Sequence, residues 1–400
     1  MVTTTSSYTN SRYRADVGLG YDGVVRVSNG GAFGTGSLLF DGRTVLTAAH
    51  LFPNGNVNGK VRFETQQGIS EISITKVLVH PNYDTDANND LAIIQLSSPA
   101  PVTANRYNLH RDTADIGSTF TLIGYGQKGT GASGADSTTS SNPLRLKAKN
   151  SFDIDVAVLK ETLRSGLAWN PEPGTQLIAD FDNGATANDA LGRLTFSSDL
   201  GEGIDEGMLA PGDSGGPAFI GNEIAGIGSY TAAIARLGVN PDIDDKKNSS
   251  FGEIGAWQRV SYYQQWIDQN LRTYDARTPK TINAIQKEIN EGASGTSLTY
   301  FLVQFSGIRS NPNQIVSVDY ATKNGTAVAG EDYLETHGRL NLYPGENHAV
   351  IPVEVIGDMV SEPNEYFFLE IFNPIGGKFS GDAVSLIAMR TIIDDDIAYG

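Results

Sequence analysis

The chain has no cysteine among its 400 residues. No disulfide can brace it, so folding needs no oxidising compartment, although this absence does not exclude export; bacterial exoproteins often dispense with disulfides. Cationic side chains are scarce as well. Twenty-nine lysines and arginines face 46 aspartates and glutamates, a formal net charge of −17. Nucleic-acid binding requires a basic footprint, which this composition lacks, whereas acidity favours solubility and suits divalent cations. Long apolar runs are also missing, and nothing approaches the roughly 18 apolar residues of a membrane-spanning helix. The opening Met1-Val2-Thr3-Thr4-Thr5-Ser6-Ser7 lacks the apolar core of an ordinary signal peptide. The expectation is a flexible N-terminal arm over residues 1–19 and a secreted or cell-surface protein that uses another export route, the alternative being a protein that stays inside the cell.

What the chain has in abundance is glycine, 45 residues of it, together with serine, threonine, asparagine and aspartate. Such turn chemistry between short apolar runs points to an all-β protein, and the length to two or three domains. The most informative stretch is Gly212-Asp213-Ser214-Gly215-Gly216-Pro217. A serine hydroxyl becomes a nucleophile only beside a base, and its chemistry needs donors aimed at the developing oxyanion. Glycines let the backbone turn sharply and present N–H groups, here those of Gly212 and Ser214, to one oxygen. The partners exist upstream. Val45-Leu46-Thr47-Ala48-Ala49-His50 ends an apolar run on a histidine, and Asn88-Asn89-Asp90-Leu91-Ala92 opens another on an acid.

The order His50, Asp90, Ser214 and the strings around each resemble the trypsin/chymotrypsin-like serine proteases. Gly36-Ser37-Leu38-Leu39, Gly124-Tyr125-Gly126, Gly226-Ile227-Gly228-Ser229-Tyr230 and Trp257-Gln258-Arg259-Val260 extend the likeness over residues 20–272. The resemblance implies a double β-barrel in which Ser214 attacks, His50 moves the proton and Asp90 holds the imidazole, with no cofactor required. It also implies that Ser229 supports Asp90, and that Ser229, Tyr230 and Thr231 present a strand edge to a peptide substrate. Met208 would floor the P1 pocket and Thr231 and Gly255 would wall it, so an apolar P1 residue is expected instead of lysine or arginine. The insertion Ala232–Ser250 carries Asp242, Asp244 and Asp245 and reads as a solvated, mobile loop. So does the Gly/Ser/Thr-rich stretch Gly129–Asn142.

Relatives in this family carry cysteines where this chain has Gly34, Leu51 and Ala210. Many are zymogens whose new N-terminus pairs with the acid before the nucleophile, here Asp213, and cleavage after Arg14 is the corresponding expectation.

After a helix-spaced segment at 261–272 and a polar linker at 273–282, alternating strands resume. The strings Gly325-Thr326-Ala327, Gly330-Glu331-Asp332-Tyr333, Glu362-Pro363-Asn364-Glu365 and Asp394-Asp395-Asp396 resemble a Calx-beta domain over 283–397. That resemblance implies an immunoglobulin-like β-sandwich with Ca²⁺ at one end, held by Glu291, Asp358, Glu362, Glu365, Asp394, Asp395 and Asp396. Two functional classes follow. One is an active endopeptidase acting on protein or peptide substrates, with a Ca²⁺-dependent docking module. The alternative is a catalytically idle, Ca²⁺-dependent binding protein on a protease scaffold.

Overall fold

The structure, a computed structural model, describes residues 2–53, 55, 57–141, 143–236, 238–274 and 278–396. They fall into two compact units, residues 1–39 with 43–264 and residues 40–42 with 265–400.

The first unit begins with β1 (Thr3–Thr4), then β2 (Val24–Asn29), β3 (Ala32–Leu38), β4 (Thr44–Thr47), β5 (Gly59–Thr65), β6 (Gly68–Val79) and β7 (Ala92–Leu96). Strands β2-β3-β4-β7-β6-β5 close into a barrel. The period-2 alternation of a strand decides which side chains fill it. In β5, Val61 and Phe63 are buried while Lys60 is exposed. Val25, Val27, Leu38, Val45 and Ile94 complete the barrel core.

The same unit continues through β8 (Asn108–Leu109), β9 (Thr119–Gly124), β10 (Lys128–Thr130), β11 (Gly134–Asp136), β12 (Leu146–Ser151), β13 (Ile154–Asp155), β14 (Gln176–Asp180), β15 (Gly207–Met208), β16 (Pro217–Ile220), β17 (Glu223–Ala232) and β18 (Ile254–Arg259). An eight-stranded sheet runs β12-β9-β16-β17-β18-β14-β13, with β8 paired to β17. Its end strands adjoin in sequence, from Ser151 to Ile154, so the sheet curls back on itself. Phe120 stacks on Phe152, and Trp257 meets both edge-on. Helices α1 (Val156–Leu163) and α2 (Ala190–Thr195) cover it through Leu159, Leu163 and Leu191.

The expected flexible arm is instead part of this unit. Strand β1 pairs with β10 and, antiparallel, with β15, setting Thr3 opposite Met208. Val2 is fully buried and shares an apolar cluster with Met208, Leu209, Phe251 and Trp257. Tyr13 is 1% exposed, and Arg14 bridges to Leu146. A cut after Arg14 would therefore remove a strand that the sheet around Met208 uses. The same pairing explains why Gly129–Asn142 is not a loose loop. Strand β10 is held between β1 and β11, though Asn142 lies outside the described residues. Likewise Ser249 and Ser250, at the end of the acidic insertion, are buried.

The second unit contains α3 (Val260–Tyr274), whose first residues belong to the first unit, and seven strands. These are β19 (Glu288–Asn290), β20 (Gly295–Gln304), β21 (Val316–Asn324), β22 (His337–Leu342), β23 (His348–Gly357), β24 (Glu365–Ile375) and β25 (Ser385–Ile393). One sheet has the order β19-β25-β24-β21-β22 and the other pairs β20 with β23. Phe301, Val318, Ile351, Val353, Tyr333 and Phe367 pack between them as a sandwich core.

At Gly34 and Leu51, where no cysteine is present, apolar packing holds the chain. A Cβ on Gly34 would lie 2.4 Å from Leu51 Cδ1, so the leucine occupies the space a disulfide would take. Leu51 is 7% exposed. Leu51→Ala is expected to lower unfolding free energy by about 2–5 kcal/mol, read from chemical denaturation of the full chain.

Candidate active site

His50 sits on a single 3₁₀ turn, Ala49–Leu51, just after β4. Asp90 stands just before β7, the strand that pairs with β4. Neighbouring strands thus bring the two side chains together although 40 residues separate them. The Asp90 carboxylate is 1% exposed. Its Oδ2 lies 2.7 Å from His50 Nδ1 and its Oδ1 accepts the His50 amide at 2.8 Å. Ser229 Oγ donates to the same Oδ2 at 2.6 Å, and Gln258 Nε2 approaches that hydroxyl at 3.4 Å. The loop before Asp90 is fixed from the second sheet, because Gln258 and Gln176 both donate to the Ala87 carbonyl. Ala87 and Asn89 have φ of 58° and 56°, a left-handed geometry that Asn tolerates better than most residues. Burial pulls the His50 pKa down, while the hydrogen bond and charge of Asp90 push it up; the balance lies above the ordinary 6.5.

Ser214 lies in the turn between β15 and β16. Gly212 and Gly215 adopt φ of 97° and 82°. A Cβ on Gly215 would come within 2.1 Å of Thr47 Oγ1, and one on Gly212 within 2.5 Å of the Phe33 ring. The nucleophile loop is therefore pressed onto the β3–β4 surface, and Thr47 leads directly into Ala48, Ala49 and His50. Among the described residues, the N–H groups of Gly212 and Ser214 are bonded to no acceptor. Gly215 N–H, by contrast, is committed to the Gly228 carbonyl at 2.7 Å. Asp213 is wholly buried, accepting N–H bonds from Gly126 at 2.8 Å and Ala210 at 2.9 Å. Burial lifts its carboxyl to about 6.

Sequence reasoning missed Thr35. This buried residue donates its amide to the Ser214 carbonyl at 2.8 Å and its hydroxyl to the Gly212 carbonyl at 3.0 Å. Its hydroxyl also accepts the Tyr125 amide, and its carbonyl accepts Thr47 Oγ1. A threonine among glycines and apolar residues gives no pattern that would single it out. Trp169 was missed for the same reason. Its indole N–H reaches Tyr230 OH at 3.1 Å, and that hydroxyl in turn donates to Gln176 at 2.7 Å.

The residues expected to form the P1 pocket lie together but more tightly than the sequence suggests. Thr231 pairs with Gly255 across β17 and β18. Gly255 does not face open space, since a Cβ there would sit 2.5 Å from Met208 Sδ. Met208 is itself fully buried, an uncharged base beneath this corner. The aspartates of the insertion bond within their own loop. Asp242 accepts from Ser250 and Asp244 N–H, Asp244 from Lys246 N–H and Asn248, and Asp245 from Asn240.

In the second unit, the expected acidic residues gather at one end of the sandwich. Glu291 is 7% exposed. Burial lifts its carboxyl to about 7, with Asp358, Glu362 and Asp394 adding repulsion. Asp394 accepts the Glu362 amide, Asp395 the Gly292 amide, and Asp396 donates its amide to Asp394. Asp396 Oδ2 is shielded from solvent without a hydrogen-bond partner. A second grouping joins Glu362 and Glu365 to Asp332, which sequence reasoning did not select, with oxygens within 4.8 Å of one another. An all-oxygen, charge-crowded set of this kind fits Ca²⁺.

Comparison with known proteins follows the same division. Residues 12–152 match the Trypsin family model and residues 299–396 the Calx-beta domain model. Trypsin-1 of Salmo salar is 26% identical over 261 residues, which cover 62% of this chain and 86% of the salmon protein. The sodium/calcium exchanger Calx of Drosophila melanogaster is 40% identical over 90 residues, 22% of this chain and 9% of the exchanger. The human sodium/calcium exchanger 2 is 35% identical over 99 residues, 22% and 11% of the two chains. The chain thus spans only a tenth or so of the exchangers it matches. Among solved structures, the mouse-brain serine protease neuropsin aligns with 65% of this chain and 98% of its own, at 17% identity and a TM-score of 0.46.

The geometry around His50 predicts its titration. Protonated imidazole held by Asp90 stabilises the fold below about pH 6.5, the unfolded value, and that contribution is lost as pH rises through the higher folded pKa. In NMR titrations His50 is expected to titrate above 6.5. Asp90→Asn removes both raising influences, leaves burial, and should bring it below 6.5.

Proposed function

Because the chain carries a trypsin-like domain followed by a Calx-beta domain, we propose that it is a serine endopeptidase. Ser214 is the nucleophile, His50 the general base and acid, and Asp90 the residue that fixes the imidazole. The observations that carry this reading are the hydrogen-bonded chain Ser229–Asp90–His50 and the two unengaged N–H groups at Gly212 and Ser214. Ser214 Oγ attacks the scissile carbonyl and forms a bond to its carbon. His50 Nε2 takes the hydroxyl proton, and the carbonyl oxygen acquires the negative charge. Asp90 holds the Nδ1 proton and stabilises the imidazolium. The Gly212 and Ser214 amides receive the oxyanion, each such donor contributing about 10²–10³ in rate. Collapse of the tetrahedral species expels the amine with the proton returned by His50, and water then repeats the sequence on the acyl-enzyme. Burial of Asp213 with Gly126 and Ala210 N–H bonds keeps this turn in its working shape.

Substrate backbone would lie along Ser229–Thr231, flanked by Tyr230 and Trp169. Met208 offers no counter-charge, and Asp242, Asp244 and Asp245 are occupied within their own loop, so an uncharged, apolar P1 residue is favoured. In the second unit Glu291, Asp332, Asp358, Glu362, Glu365 and Asp394–Asp396 would hold Ca²⁺, which there supplies neutralising charge and stiffens the end of the sandwich. That module would dock a Ca²⁺-dependent protein partner. We place the protein at the cell surface or outside the cell, where peptide substrates and Ca²⁺ are available.

A serine-directed fluorophosphonate should label the full chain with and without EGTA, and Ser214→Ala should abolish labelling. No label on folded, Ca²⁺-loaded protein would establish the idle binding protein instead. Asp90→Asn is expected to lower kcat by about 10⁴ while leaving the protein folded. In a peptide-library profile, cleavage after apolar residues is expected; preference for arginine or lysine would refute the role given to Met208.

A further inference from the structure

The segment that leads into Met208 is backed by buried carboxylates that the proposed chemistry does not use. Asp180 ends β14, Asp182 follows two residues later, and Asp189 precedes α2; they are 1%, 3% and 2% exposed. One carboxylate oxygen from each lies within 4.8 Å of the other two. Oxygens bound at 2.3–2.6 Å to one Ca²⁺ can stand no more than about 5 Å apart, so these three can share an ion.

Hydrogen bonding accounts for two of the three. Asp180 Oδ2 accepts the Leu191 amide at 2.7 Å. Asp189 Oδ1 takes the Gly192 amide and Oδ2 the Ser198 hydroxyl, both at 2.6 Å. Asp182 is different. Its Oδ1 is sealed from solvent and receives no hydrogen bond. The charges that bear on it, from Asp180, Glu206, Asp189 and Asp153, are all negative. Among the described residues no lysine, arginine or histidine pairs with Asp180, Asp182 or Asp189. Buried carboxylates are normally paired, hydrogen-bonded or bound to metal, and the first two remedies are absent at Asp182.

We propose that Asp180, Asp182 and Asp189 bind a divalent hard cation, Ca²⁺ by their all-oxygen donor set, within the first unit. The ion would be separate from any at the acidic end of the sandwich. Its place in the fold gives it a task. The Asp182 amide donates to Glu206 Oε1 at 2.9 Å, and Asn150 Nδ2 links the Asp180 and Gly207 carbonyls. Glu206, Gly207 and Met208 therefore share a frame with the three carboxylates, and β1 pairs with Gly207 and Met208. An ion fixing Asp182 would brace the base of the pocket and the strand that seals it.

The test is direct binding, so it is independent of whether the chain is a peptidase. Equilibrium dialysis with radioactive Ca²⁺ would use the full chain carrying Asp332→Asn and Glu362→Gln, which weaken the sandwich end. Adding Asp182→Asn should remove one bound ion per chain; unchanged stoichiometry would overturn the site. Should Asp182→Asn fail to fold, hydrogen exchange on the unmodified chain decides the matter. Ca²⁺ is expected to slow amide exchange across residues 180–206, and exchange there that is the same with Ca²⁺ and with EGTA would overturn it.

Discussion

Thr35 gives its amide to the carbonyl of Ser214 and its hydroxyl to the carbonyl of Gly212, and it takes the Tyr125 amide and the Thr47 hydroxyl in return. Through the backbone and hydroxyl of one buried residue the β3–β4 edge that carries His50 is fastened to the turn that carries Ser214, and both to the strand end at Gly124–Tyr125. General-base chemistry depends on distances of about 3 Å between groups contributed by different strands. Those distances hold only if the strands do. The donors left over at Gly212 and Ser214 are available because the carbonyls around them are already satisfied.

A protein without cysteine must hold such a turn by other means. Leu51 fills the space against Gly34 with apolar surface. Hydrogen bonds to Asp213 from Ala210 and Gly126 tie down the other side of the loop. Val2, just before β1, joins the apolar cluster that holds Met208, and β1 pairs with the Met208 backbone. Each substitute is weaker or more distributed than a disulfide, and each requires several segments distant in sequence to fold together.

The excess of acid is managed in the same distributed way. Asp90 is met by His50 and Ser229, Asp22 by Arg145 at 2.5 Å, and Asp115 by Arg259 at 2.6 Å. Those pairs neutralise carboxylates one at a time. Where arginine is absent, at Asp182 and at the end of the sandwich around Glu291 and Asp396, carboxylates crowd each other. At both places a divalent ion would supply the counter-charge that no described basic side chain gives.

The linear chain determined the elements whose chemistry is local. Glycines at 212 and 215 announce a turn of positive φ, alternating apolar residues announce the strands of both units, and His50, Asp90 and Ser214 stand in contexts a triad needs. The acids at Glu291, Asp358, Glu362 and Asp394–Asp396 were legible because they cluster in short strings. Tertiary structure decided what depends on separated segments meeting. Val2–Thr4 looks like a polar tail until β10 and β15 pair with it, and Thr35 looks like filler until four backbone and hydroxyl groups converge on it. Met208 has the sequence position of a pocket floor, yet β1 and the cluster of Val2, Leu209, Phe251 and Trp257 bury it, and the missing Cβ of Gly255 leaves room for its sulfur. Asp180, Asp182 and Asp189 form one site only because a turn folds Asp189 back onto the end of β14. Sequence records which groups are present, and only packing sets the few ångströms between them on which hydrogen bonds and ion binding depend.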